Sequence, residues 1–279
     1  MIEKERQPRI IVTKETLPQL RKEIGEVREQ KGREEETLRL ITPVLEGAIR
    51  IGEHEDAVNL YWERYLVGKH YLMRARSEKG LGLFQKAFFM ARGLSLMRTA
   101  AKESSSYIER HDVESCRARS HRFSGEVDML SRRYKSAVRH FQTGVGLFEK
   151  MDRPEQRQNA LELSGFLAEA LVLSGNVEEG IILAKKTFRA YDEGDGALLK
   201  ERDYYTWAIW KSGCMTKLWG AILDKKIPLE DDTKIGLFSM LGEAYGVLFP
   251  KQAVWGNFLL RRDEMNTLRE RILKREKES

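Results

Sequence analysis

The sequence has few of the residues that cross-link or break a chain. It contains two cysteines, Cys116 and Cys214, which lie far apart in the sequence. A disulfide would require the fold to bring them together, so two free thiols, buried or partly buried, are the expectation. The six prolines argue against long disordered linkers. Strand-like alternation is scarce, and Ile10–Val12 is the one run that suits a short strand or an extended arm.

Long apolar runs are also missing. No window approaches the roughly 18 apolar residues that a membrane-spanning helix needs, so no membrane partner is expected. The first residues, Met1–Arg6, are not followed by the apolar stretch of a secretory signal. These two observations favour a cytoplasmic protein in a reducing compartment.

Patterns typical of catalysis and metal binding do not occur. His54-Glu55 is followed by Val58 where a zinc-binding His-Glu-x-x-His helix would place its second histidine. Cys116 and His121 form a pair without further ligands nearby. Gly80-Leu81-Gly82 lacks the third glycine and the preceding strand of a phosphate-binding loop. The sequence therefore predicts no catalytic residues, no metal site and no cofactor, and indicates a protein that is not an enzyme.

The charge balance is mildly basic, with a formal net charge of +6 and 33% charged residues. Cations and carboxylates alternate in stretches such as Arg21-Lys22-Glu23 and Arg269-Glu270-Arg271. Such interleaving is typical of solvated helix faces with ion pairs three or four residues apart. Nucleic-acid-binding proteins usually concentrate more basic charge on one face.

A pattern of small and aromatic residues recurs along the chain. Its fullest copy is Phe238, Leu241-Gly242 and Tyr245, followed by Val254 and Phe258. The other copies combine glycine or alanine with aromatic or further small residues at related spacings: Gly52, Ala57 and Tyr61; Gly125, Tyr134, Ala137, Phe141 and Gly144; and Ala168, Gly175, Val177, Gly180 and Ala184.

These motifs resemble the tetratricopeptide repeat, in which Trp-x-x-Leu-Gly-x-x-Tyr precedes a small residue and a phenylalanine on the second helix. The small residues of the second helices are spaced at multiples of about 37 to 43 residues, longer than the usual 34. The resemblance implies an all-α fold. Its form would be a right-handed superhelix of about five to six antiparallel helix pairs that stack into one continuous core.

The predicted organisation has an arm and amphipathic helix over residues 1–33, a repeat domain over 34–274 and a frayed tail over 275–279. Two repeats without a clear motif are placed by periodicity alone. Several local expectations accompany this division: turns at Gly93 and Gly213, an interruption at Ser104–Ser106, a loop over Asp192–Gly196 and one long helix over Leu198–Leu223.

The resemblance also implies where a ligand binds, because tetratricopeptide arrays hold peptides or partner helices on the concave face formed by the first helix of each pair. Carried over to this chain, the outward positions of two first helices include Arg119, Arg122, Glu126, Met129, Glu162 and Glu169. Arg119 and Arg122 belong either to a solvated face or to a basic patch that grips an acidic peptide.

Trp207 and Trp210 share a helix face with Tyr204. They either pack in the core or act as anchors of an interface.

The leading functional hypothesis is a non-catalytic scaffold or adaptor that binds a peptide or partner protein, acidic if the basic patch is used. The first alternative is a nucleic-acid-associated helical repeat protein, supported by the basic segments Arg117–Arg122 and Arg132–Lys135. The second alternative is a regulatory subunit of an enzyme. The sequence does not indicate an oligomeric state.

Overall fold

A computed structural model of the chain describes residues 10–30, 32–78, 80–249 and 256–278. Over these residues the protein is built from α-helices and one short 3-10 helix, without a strand, so the predicted all-α class is confirmed. Ile10–Val12 forms no strand. Contacts divide the chain into two compact units: an N-terminal unit, Met1–Val127, and a C-terminal unit, Asp128–Ser279. The predicted segments 1–33, 34–274 and 275–279 stay a prediction.

Within its described residues the N-terminal unit contains four complete helices and most of a fifth, which continues past the division. A 3-10 turn, Glu114–Cys116, precedes the fifth helix. The helices are α1 (Leu17–Arg28), α2 (Glu34–Arg50), α3 (His54–Ser77), α4 (Leu83–His111) and α5 (Arg117–Leu130).

In this unit the odd-numbered helices run parallel. Arg21 and Arg28 of α1 bind Asp56 and Glu63 of α3, and each of these pairs is 35 residues apart in sequence. Since both contacts keep one separation, α1 and α3 point the same way. Helix α5 follows α3 in the same direction, with contacts at separations of 60 and 61 residues.

Two glycines allow α3 and α4 to approach closely. A Cβ atom added to Gly68 would lie 2.8 Å from the carbonyl oxygen of Gly93, and one added to Gly93 would lie 2.6 Å from that of Gly68. The prediction of a turn at Gly93 is therefore wrong, because this glycine lies inside α4 where two backbones pack together. Ser104–Ser106 does not interrupt α4 either, since the Ser104 hydroxyl donates to the Ala101 carbonyl within the helix.

The part of the C-terminal unit that the structure describes continues with eight helices after α5. Most are longer than three turns, while α7 is a single turn. They are α6 (Tyr134–Glu149), α7 (Pro154–Arg157), α8 (Asn159–Ser174), α9 (Val177–Ala190), α10 (Gly194–Arg202), α11 (Tyr204–Asp224), α12 (Asp231–Gly246) and α13 (Gly256–Glu278).

Helices α8, α11 and α13 run parallel. Gly165 of α8 faces the backbone of Cys214 in α11, with an added Cβ 3.5 Å from the Cys214 Cα atom. Arg271 and Arg275 of α13 reach Asp224 and the Ile227 carbonyl at the end of α11, at sequence separations of 47 and 48 residues. Helix α9 returns antiparallel beside α8, and an added Cβ on Gly180 would lie 2.8 Å from the Ala168 carbonyl oxygen.

Some predicted features of this unit are wrong. The expected helix over Leu198–Leu223 is two helices, because the Asp203 carboxylate accepts a hydrogen bond from the Thr206 amide at 3.0 Å and begins α11 there. Gly213 lies inside α11 and marks no turn. The expected loop at Asp192–Gly196 ends early, since α10 begins at Gly194.

The C-terminal core is built around the aromatic and aliphatic side chains of α9, α11, α12 and α13. Trp207, Trp219 and Met265 are at most 2% exposed. Leu241 of the fullest repeat motif belongs to this core and Tyr245 packs against it. Val254 and the side chain of Phe258, which complete that motif, lie outside the described residues.

Candidate functional site

The predicted binding residues of α5 lie in different surroundings. Arg119 is exposed, and Arg122 and Met129 are half-buried. Glu126 is only 7% exposed. The prediction that Glu126 faces outward is therefore wrong.

Glu126 holds together a buried ionic cluster in the N-terminal unit. Its carboxylate accepts hydrogen bonds from Lys69 at 3.0 Å, Arg122 at 3.1 Å and the Tyr65 hydroxyl at 3.2 Å. Burial alone would raise the pKa of this carboxyl, but the Lys69 and Arg122 charges outweigh it and lower the pKa to about 2. Arg122 therefore already has a carboxylate partner inside the protein.

Arg119 lies over an aromatic ring. Its guanidinium carbon is 4.1 Å from the centroid of the Trp62 ring, and its Nη1 donates to the Asn59 side-chain oxygen at 3.4 Å. The residue is exposed as a whole, but its guanidinium loses water where it lies against α3, and this desolvation lowers the pKa of Arg119. A guanidinium stacked on indole is a common cation–π arrangement, and it fixes the direction in which the guanidinium N–H groups point. Arg119 presents a positioned charge at the surface.

The parallel helices α8, α11 and α13 form a second charged surface in the C-terminal unit, here called the parallel-helix face. Glu162 and Glu169 lie two turns apart on α8 and are half-buried. Lys217 of α11 and Arg261 of α13 supply the cations. The face thus combines side chains from three helices that are distant in sequence.

Lys217 and Arg261 lie side by side. Both approach the same point beside Gly213, where an added Cβ would be 3.1 Å from the Lys217 Nζ and 3.4 Å from the Arg261 Nη2. The Lys217 ammonium lies 4.2 Å from the centroid of the Phe166 ring and 3.5 Å from the Gly213 carbonyl oxygen. Among the described residues no carboxylate lies within ion-pair distance of it.

The electrostatics of Lys217 reflect this position. Burial lowers the pKa of its ammonium, and the Arg261 charge lowers that pKa further, while the charges of Glu169 and Glu162 act in the opposite direction. Arg261 itself donates to Thr216 Oγ1 at 3.0 Å and to the exposed Glu264 at 2.6 Å. The two adjacent cations would be stabilised by an external carboxylate placed between them.

The aromatic residues of α11 belong to the core. Trp207 is 2% exposed, and its indole nitrogen donates to the Tyr191 carbonyl at 2.7 Å. Trp210 is half-buried and packs against the same core. Trp207 therefore packs in the core and is not exposed as an anchor for a partner.

Sequence reasoning missed Lys211, which is 1% exposed and lies next to Trp210. Its ammonium binds the carboxylates of Asp192 and Glu243, each at 2.5 Å. The signal was present, because Lys211 is the one charged residue in the aromatic first half of α11. A lone cation in an apolar helix is expected to have buried partners.

The two thiols are free and buried, in agreement with the predicted burial. Cys214 in α11 donates to the Ala184 carbonyl at 3.8 Å, and burial raises its pKa to about 12. Burial also raises the pKa of Cys116. Neither thiol has the lowered pKa of a nucleophile.

The described residues were also compared with the requirements of metal sites, membrane-spanning helices and ligand pockets. They contain no group of three or more His, Cys, Asp and Glu side chains placed to hold a metal ion. No helix within them is long and apolar enough to cross a membrane. Two cavities, one of about 240 Å³ beside Trp219 and Ile272 and one of about 360 Å³ beside Gln158 and Arg202, are both open to solvent.

Known proteins add little to this description. No family's sequence profile matches the chain, and no curated protein matches it. Among solved structures, a de novo designed helical repeat protein is similar over 92% of this chain and 97% of its own length, at 17% identity and a TM-score of 0.29. A TM-score this low supports no statement about how the helices are arranged.

Proposed function

We propose that this protein is a non-catalytic interaction module of the tetratricopeptide type, which binds a partner protein or peptide. In the proposed architecture, antiparallel helix pairs, five or six in all, stack into a right-handed superhelix. The first helices of successive pairs line the binding surface. In the C-terminal unit we assign this role to α8, α11 and α13, whereas the repeat motif alone would place Phe258, and with it α13, on a second helix.

The parallel course of these helices supports the proposal. Stacked helix pairs place every second helix in the same direction, and this is the relation between α8, α11 and α13 and between α1, α3 and α5. Antiparallel partners lie between them, as α9 does beside α8. The small residues Gly165 and Gly180 allow the close approaches that such stacking requires.

The proposed ligand follows from the adjacent cations Lys217 and Arg261. A half-buried ammonium beside a guanidinium favours a carboxylate, and a partner segment with an Asp, a Glu or a chain terminus at this point supplies one. Glu162 and Glu169 on the neighbouring helix would repel a uniformly acidic segment. The expected ligand is therefore a segment in which one acidic position is surrounded by neutral or basic residues.

This assignment differs from the basic patch predicted on α5. Arg122 is paired with Glu126 inside the N-terminal unit, so replacing it would disturb a buried cluster as well as the surface. Lys217 has no such partner among the described residues and reports on binding more directly. Arg119 remains a second surface cation, stacked on Trp62.

The test uses synthetic peptides of equal length with zero, one or several acidic positions, measured by fluorescence anisotropy. Replacing Lys217 by Gln should weaken binding of the best peptide by about tenfold, or about 1.4 kcal/mol. Lys186→Gln on the exposed side of α9 is the control, because it removes the same charge elsewhere in the unit. Equal losses in both variants, or none in Lys217→Gln, would contradict the proposal.

The nucleic-acid alternative is less well supported. Three arginines of its basic segments are paired inside the chain: Arg117 with Asp112 at 2.6 Å, Arg122 with Glu126 at 3.1 Å and Arg133 with Asp128 at 2.5 Å. These pairs reduce the charge available to phosphates. Tight binding of single-stranded RNA or DNA with a steep loss of affinity in salt would favour that alternative.

A further inference from the structure

The beginning of α4 exposes a group of large apolar side chains. Phe84 is 91% exposed, Leu83 81%, Phe88 60% and Met90 50%. Scattered apolar residues at a surface need no explanation, but these four lie within two turns of one helix. They are here called the apolar tip.

The opposite side of the same helix segment is packed. Phe89 contacts the ring of Tyr71 at a centroid distance of 5.6 Å, and the Arg74 guanidinium lies 4.6 Å from the Phe89 ring. One turn further on, Gly93 packs against Gly68. Helix α4 is thus fixed to α3 along one side while the apolar tip faces solvent. Phe84 is almost fully exposed, and Phe88 has a ring contact with Phe89 at a centroid distance of 5.9 Å.

Basic residues predominate in the sequence around the apolar tip, and one of them, Arg92, is paired with Glu35 of α2 at 3.3 Å. Residues 79–102 contain five Lys or Arg residues and no Asp or Glu, unlike the interleaved charges elsewhere in the chain. On the exposed side of α4, Phe84, Phe88 and Ala91 are followed at helical spacing by Arg98 and Lys102. The helix therefore presents an apolar end and then a basic segment on one face.

We propose that the apolar tip docks on an anionic lipid surface. Leu83, Phe84 and Phe88 enter the boundary between headgroups and acyl chains, and Arg98 and Lys102 lie near the lipid phosphates and carboxylates. A helix with aromatic residues on one side and Lys and Arg as its charged residues is typical of interfacial binding. The expected absence of a membrane partner rested on the missing spanning segment, which surface docking does not require.

The geometry favours lipid over a protein partner. The side chains of Leu83 and Phe84 are almost fully exposed and project from the helix, so a protein partner would need a matching cavity, whereas a bilayer deforms around them. Clustered cations add attraction to anionic headgroups that weakens with salt.

The first experiment measures co-sedimentation of the whole protein with phosphatidylcholine vesicles that contain or lack phosphatidylserine. We expect binding to the anionic vesicles at low salt and at least tenfold weaker binding to the neutral ones. The variant Phe84→Ser/Phe88→Ser should bind the anionic vesicles at least tenfold more weakly than the parent. Circular dichroism of this variant should match the parent, because both side chains are exposed.

Two further variants separate the contributions. Ile182→Ser/Ile235→Ser removes two exposed apolar side chains of the other unit, which are 59% and 66% exposed, and should bind vesicles as the parent does. Lys102→Gln should weaken binding to anionic vesicles and leave residual binding to neutral ones unchanged. Equal loss in the isoleucine control would show general stickiness and would overturn the proposal.

Three other results would overturn it. The first is no sedimentation with anionic vesicles at low salt. The second is a parent dimer in light scattering that Phe84→Ser/Phe88→Ser dissociates while vesicles stay unbound, which would assign the tip to a second copy of the chain. The third is binding of an acidic amphipathic peptide that the same variant abolishes, again without vesicle binding.

Discussion

Two buried ionic clusters, one in each unit, have opposite central charges. In the N-terminal unit one carboxylate, Glu126, is held by the cations of Lys69 and Arg122. In the C-terminal unit one ammonium, Lys211, is held by the carboxylates of Asp192 and Glu243. In both cases the central group is buried and its partners are more exposed. Each arrangement joins helices that the chain separates, α5 to α3 and α11 to α12.

The two clusters differ in how easily the central charged group could reach water if its partners were lost. The Lys211 side chain is 1% exposed, whereas its two partners are 42% and 54% exposed. The Glu126 side chain is 8% exposed, with partners 35% and 23% exposed. A buried ion pair is weak support for stability in itself, but removing one side leaves an uncompensated charge. The two clusters should therefore respond differently to the same kind of mutation.

The largest effect is expected for Asp192→Asn/Glu243→Gln. This variant leaves the Lys211 ammonium buried without a counter-charge, which should cost about 3–5 kcal/mol in the free energy of unfolding. Urea unfolding followed by circular dichroism measures it. The matched control is Lys211→Met, which should cost less than about 2 kcal/mol, since the two carboxylates can turn to solvent. If Lys211→Met proves the more destabilising variant, the cluster does not work as described.

Glu126→Gln should have the next largest effect. Because the pKa of Glu126 falls from 4.5 to about 2 on folding, its ionised form stabilises the native state. The sign is that of a lowered carboxyl pKa, so this stability is complete above about pH 5 and is lost as the pH falls towards 2. We expect a loss of about 2–3 kcal/mol at neutral pH.

The pH profile tests the cause. Parent and Glu126→Gln stabilities should converge as the pH is lowered to about 2, since protonation then removes the same charge from the parent. A difference that stays constant over this range would indicate lost packing instead of lost charge.

A third prediction compares glycines. Gly93→Ala should destabilise the N-terminal unit by about 1–3 kcal/mol, because the new methyl group meets the Gly68 carbonyl oxygen. Gly25→Ala in α1 is the control, since nothing lies within 4 Å of its added Cβ. It should stabilise the protein by about 0.5–1 kcal/mol through helix propensity. Thermal denaturation of both variants decides whether close approach explains the cost.

The smallest effect is expected for Arg119→Gln. Loss of the stack on Trp62 should cost about 0.5–1 kcal/mol. Arg117→Gln, which breaks an exposed pair with Asp112, should cost less than about 0.5 kcal/mol. Equal losses in the two variants would show that the ring contact adds nothing.

Helical periodicity and the small-residue pattern predicted the all-α class. They could not predict the function of individual glycines. Gly93 and Gly175 look alike in sequence, but Gly175 adopts a left-handed conformation that ends α8, while Gly93 lies in a helix–helix contact. A local pattern does not record which residues a distant helix brings close.

The candidate site was harder to predict for the same reason. The sequence did not predict Lys217 as a site residue, because its neighbour Arg261 is distant along the chain. Only the parallel course of α11 and α13 brings the two side chains together. Glu126 was placed on an outward face because helical spacing alone does not tell which side α3 covers. The Asp203 break could have been predicted, since an aspartate three residues before a helical threonine is a common cap.

Each unit contains one buried thiol whose rate of chemical modification reports how often the structure around it opens. Cys116 lies in the short turn before α5 and Cys214 in the middle of α11, so an alkylating reagent reaches each only when the structure around it opens. The rate of modification at Cys116 then reports local fraying near the surface of one unit, and the rate at Cys214 reports unfolding of the core of the other. Mass spectrometry of the native protein after increasing times of alkylation measures both opening reactions without any engineered label.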